Sequence, residues 1–90
     1  MIRVNEGYKL KQIIDEYVIV ATGDKAVKFS AVLVLNEVGA IVFKLLQEGK
    51  TETEIEQALM AEFSIDEATA SADVERFINK LIGDGVCARV

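Results

Sequence analysis

Ninety residues with a net charge of -5 leave room for one domain with a modest core. Half the residues are hydrophobic, too many for a disordered chain. The chain has no histidine and only one cysteine, Cys87. That excludes His-based acid–base chemistry, an internal disulfide and any ordinary His/Cys metal site.

The first ten residues hold Arg3, Glu6 and Lys9 and no long apolar run, so no secretory signal is expected. The longest apolar stretch, Ala31 to Leu35, is far too short to cross a bilayer. A soluble, cytoplasmic protein is therefore the expectation. Tyr8, Leu10, Gln12 and Ile14 alternate with Lys9, Lys11, Ile13 and Asp15, the period of a strand with one wetter face. Asp15-Glu16 makes a short link. Tyr17 to Thr22 is β-branched and aromatic and reads as a second strand. Gly23-Asp24 suits a type II′ hairpin. A third strand is expected within Lys25 to Leu35, with a break near Ser30. Its odd positions, Val27, Phe29, Ala31, Leu33 and Leu35, are all apolar and should cover a core. Its even positions, Lys28, Ser30, Val32 and Val34, turn from polar to apolar along the strand.

Three helices follow. Asn36 caps a helix over Glu37 to Gln47, with Val38, Ile41, Val42, Leu45 and Leu46 as its apolar stripe and Gly39 inside it. Thr51 and Glu54 form a capping box for a second helix, whose stripe is Ile55, Ala58, Leu59 and Phe63. The third helix starts near Ser64 to Asp66, with Ser64 and Glu67 as another capping box. Val74, Phe77, Ile78, Leu81 and Ile82 make its apolar face, and Gly83 and Gly85 end it. Val86 to Val90 reads as a short last strand. The fold class is α+β and winged-helix-like: an N-terminal three-stranded antiparallel sheet, then a three-helix bundle, in one domain over residues 1–90.

Charge is unevenly placed. Residues 1–50 carry a net +1, whereas residues 51–90 set only Arg76, Lys80 and Arg89 against nine acids, a net -6. A winged-helix DNA-binding regulator is the first alternative function, but an acidic third helix repels phosphate. An enzyme is disfavoured because no phosphate loop and no metal-ligand spacing occurs. A structural subunit docking on a larger enzyme stays open.

Several segments together resemble the PqqD-like family, also called the RiPP recognition element. They are Leu35-Asn36-Glu37-Val38-Gly39-Ala40, Leu45-Leu46-Gln47-Glu48-Gly49-Lys50-Thr51, Glu54-Ile55 with Leu59 and Phe63, and Asp73-Val74 with Phe77-Ile78, Leu81 and Gly85-Val86. Two departures are Phe43, where the family often has tryptophan, and Thr22-Gly23-Asp24-Lys25 in place of a Pro-Glu-Gly turn.

The resemblance implies a non-catalytic peptide-binding protein without metal or cofactor. Its partners are the leader of a ribosomally made precursor peptide and a modifying enzyme, commonly a radical-SAM enzyme, with no nucleic acid and no membrane. The leader is expected to add as a strand beside the third strand and lie against the third helix. The expected peptide-binding residues are Lys28, Ser30, Val32 and Val34 on the strand and Asp73, Arg76, Phe77, Lys80 and Leu81 on the helix.

Overall fold

The computed structural model describes residues 2–21 and 33–90. The chain runs β1 (Ile2–Val4), β2 (Tyr8–Ile13), β3 (Glu16–Ala21), β4 (Leu33–Leu35), α1 (Glu37–Gln47), α2 (Glu52–Phe63), α3 (Glu67–Gly83) and β5 (Cys87–Arg89). Lys28, Ser30, Val32, the Gly23-Asp24 turn and the first part of the expected third strand lie outside the described residues.

β2, β3 and β4 form an antiparallel sheet in that order, with Leu10 opposite Ile19, Tyr17 opposite Leu35 and Val18 opposite Val34. Side chains alternate across a strand, so Leu10, Tyr17, Ile19, Leu33 and Leu35 share the face turned to the helices and join the core. Three helices after this sheet give the α+β, winged-helix-like arrangement expected from the sequence. The strand β1 was not expected. It pairs with β5, and Asn5 fastens the two ends: its backbone N–H donates to Val86 O at 2.8 Å and its Nδ2 to Gly85 O at 2.9 Å.

The β2–β3 turn also differs from the expected Asp15-Glu16 link. β2 stops at Ile13 and Glu16 already belongs to β3, leaving Ile14-Asp15 as the loop. Ile14 sits there at φ +56°, a left-handed conformation that a β-branched residue rarely takes.

The helices begin where their caps dictate. The Asn36 side chain accepts from Gly39 N at 2.8 Å, and Thr51 and Glu54 make both bonds of their capping box. The third cap is a correction. Ser64 does not cap α3; it ends α2 in a left-handed conformation, φ +53°. Asp66 is the cap, accepting from Thr69 N at 2.7 Å. A carboxylate two residues closer to the helix outcompetes the serine.

Val42, Phe43, Ile55, Leu59, Val74, Ile78 and Leu81 meet in a dry interior with at most 1% exposure each. In α1 the buried stripe includes Ala40 and Phe43, whereas Val38, Ile41 and Leu45 are half-buried. The apolar stripe is therefore turned part-way from the one expected. Cys87 is buried, and that burial pushes its thiol up to about 11, far from a reactive thiolate.

Candidate functional site: the β4 edge and the third helix

β4 has a hydrogen-bonded neighbour on one side only among the described residues, because the sheet order ends with it. A strand in that position presents free N–H and C=O groups to any incoming chain. β4 carries Leu-Val-Leu and no charge. Leu35 is buried, Leu33 half-buried, and Val34 stands 57% exposed on the face away from the helices.

α1 packs on both β4 and α3, yet no Cα of α3 comes within 8 Å of a Cα of β4. Strand and helix each pack on α1 and not on each other. The two sides meet where α1 begins. Gly39, four residues beyond the end of β4, receives the ring of Phe77 from α3. A Cβ at Gly39 would stand 2.6 Å from Phe77 Cε1, so only glycine allows the ring to lie there. Phe77 keeps 8% exposure, which puts it at the boundary between core and surface.

Positions 73, 77 and 80 run along one side of α3 by helical spacing. Asp73 is half-buried, with its side chain 21% exposed. Arg76 Nη2 donates to Asp73 Oδ1 at 3.0 Å, and its guanidinium carbon lies 5.3 Å from the centroid of the Phe77 ring. Lys80 Nζ stands 3.7 Å from Asp84 Oδ2. The helix therefore brings Asp73, Arg76 and Phe77 into one cluster, with Lys80 beside it. Leu81 is a correction: at 1% exposure it is sealed in the core and supports this side from beneath, with no surface for a guest. Sequence reasoning did not single out Gly39 as the seat of Phe77, although a glycine inside an otherwise regular helix was the available signal.

The electrostatics of α3 do not suit nucleic acid. Asp66, Glu67, Asp73, Glu75 and Asp84 surround Arg76 and Lys80, and each of those two cations already has a carboxylate partner. Among the described residues no group of three or more His, Cys, Asp or Glu side chains is placed to hold a metal ion, and no helix is long and apolar enough to cross a membrane.

The family model for coenzyme PQQ synthesis protein D (PqqD) matches residues 16–86, the span from β3 to the residue before β5. The chain belongs to the PqqD family. No curated protein matches it in sequence. Two solved structures share the PqqD-family fold seen here over nearly its whole length. One is TbiB1 in complex with the TbiA(beta) leader peptide, 26% identical, with a TM-score of 0.79 over 98% of this chain and 96% of that one. The other is lasso peptide synthetase B1 complexed with the leader peptide. It is 18% identical, with a TM-score of 0.80 over 98% of each chain, a likeness of fold.

Proposed function

We propose that this PqqD-family chain is a non-catalytic, cytoplasmic recognition domain. It binds the leader of a ribosomally made precursor peptide and presents the rest of that peptide to a modifying enzyme, of the radical-SAM type. The leader adds to β4 as a further strand. Main-chain hydrogen bonds supply affinity, and side chains on alternate positions supply selectivity. Val34 and, on the sequence alternation, Lys28, Ser30 and Val32 belong to the strand side. Asp73, Arg76, Phe77 and Lys80 belong to the helix side.

The observation that carries the reading is the uncharged edge of β4, which ends the sheet among the described residues and on which α3 does not pack. Edges left bare in this way invite pairing, and proteins normally guard them with charge. A bare edge is therefore best explained by a chain that comes to cover it. The two solved structures of like fold support the same reading, since each is a complex with a leader peptide.

Calorimetric titration with the leader encoded beside this chain's gene tests it. The expected result is saturable one-to-one binding with a Kd of about 1 μM or tighter, near -8 kcal/mol. A flat titration up to about 1 mM peptide, equivalent to less than about 4 kcal/mol of binding, overturns the proposal.

A further inference from the structure

The cluster on α3 carries a statement about the guest's chemistry, and it rests on the leader-binding reading above. We infer that the bound strand offers a lysine or arginine to Asp73, and that Arg76 is the group it displaces.

Asp73 is half-buried beside Phe77, whereas the other carboxylates of this stretch, Asp66, Glu67, Glu75 and Asp84, are exposed. Its present partner is held loosely: the Arg76 side chain is 67% exposed, and an exposed pair within one helix is weakly stabilising. The same guanidinium lies over the Phe77 ring. One side chain thus covers both features a guest can use, a carboxylate and an aromatic ring. A guest cation that takes over Asp73 frees Arg76 to swing into solvent, and the uncovered rim of Phe77 then meets the guest's apolar side chains.

The wider field points the same way. Residues 66–84 hold five carboxylates against two cations, both already paired. A guest carboxylate would have to draw Arg76 or Lys80 away from its own acid and would meet an excess of carboxylates on this helix. A guest cation meets complementary charge, which favours both encounter and register.

The test is a sign test on two variants that leave the core untouched. Leader affinity is measured for the unaltered protein, Asp73→Asn and Arg76→Gln, with thermal melts as a folding control. Asp73→Asn is expected to bind about five- to tenfold more weakly, since a charge-assisted hydrogen bond is lost. Arg76→Gln is expected to bind about two- to threefold more tightly, because the internal competitor for Asp73 is removed. Replacing the leader's lysines and arginines by glutamine should abolish both differences. Unchanged affinity in both variants, or weaker binding by Arg76→Gln alone, overturns this inference and leaves leader binding intact. Failure of the unaltered protein to bind the leader overturns the leader reading itself and this inference with it.

Discussion

Among the described residues the sheet has two outer strands, and they are finished differently. β2 is six residues long and sets Lys9 and Lys11 alternately along its length. It opens onto a shallow cleft lined by Lys9, Gln12, Lys44 and Gln47 as well as Leu10 and Tyr17. The described part of β4, Leu33–Leu35, carries no charge, and no Cα of α3 comes within 8 Å of it. Lysines on an outer strand deter pairing with other chains. β2 therefore carries a guard that the described part of β4 lacks. The difference marks the described part of β4 as the less guarded of the two edges.

That contrast can be broken in graded steps. The largest effect is expected from Gly39→Ala, which puts a methyl group against the Phe77 ring. Overpacking of this kind costs about 2 kcal/mol, read as a lower urea midpoint, with leader affinity falling as the ring is displaced. Val34→Lys gives β4 the same guard as β2. With the side chain 57% exposed, the melting temperature should hardly move, while leader affinity drops about tenfold, or 1.4 kcal/mol.

Thr51→Ala, far from both margins, removes the side-chain cap of α2 and is expected to cost about 1 kcal/mol of stability with leader affinity unchanged. The same cap predicts a pH effect. Hydrogen bonds from Thr51 hold the Glu54 carboxyl below its ordinary 4.5. Its contribution is complete above the ordinary carboxylate range and is lost as pH falls through the lowered value, so acid unfolding in the unaltered protein should be steeper than in Glu54→Gln, which has no carboxyl to titrate. The smallest effect is expected from Lys9→Val with Lys11→Val, which strips the guard from β2. Weak self-association should then emerge in sedimentation runs at high protein concentration and be absent in the unaltered chain.

Much of this arrangement can be read from residues with local rules. Asn36 and the Thr51–Glu54 box fix two helix starts through bonds within three residues. Strand alternation from Tyr8 places the core face of β2, the β-branched and aromatic run from Tyr17 marks β3 without choosing its face, and the acidic bias of α3 is plain in the sequence. The features that escape are those fixed from afar. β1 has only three residues, too few to show a period, and exists through pairing with β5 some 80 residues on. The turn at Ile14 defies its residue type, because the register of β2 on β3 decides where the chain reverses. At the candidate site the residue types of α3 are legible, but their state is not. The burial of Leu81, the seat of Phe77 on Gly39 and the pairing of Arg76 with Asp73 all depend on how α1 and α3 come together.

The account turns on which outer strand receives a guest. Amide hydrogen exchange of the 15N-labelled protein, with and without saturating leader, distinguishes the two directly. New protection should gather at Leu33, Val34 and Leu35, with chemical-shift changes along Asp73 to Lys80, while the exchange of Tyr8 to Ile13 stays as it was. Protection arising along Tyr8 to Ile13, with Leu33 to Leu35 unaltered, contradicts it.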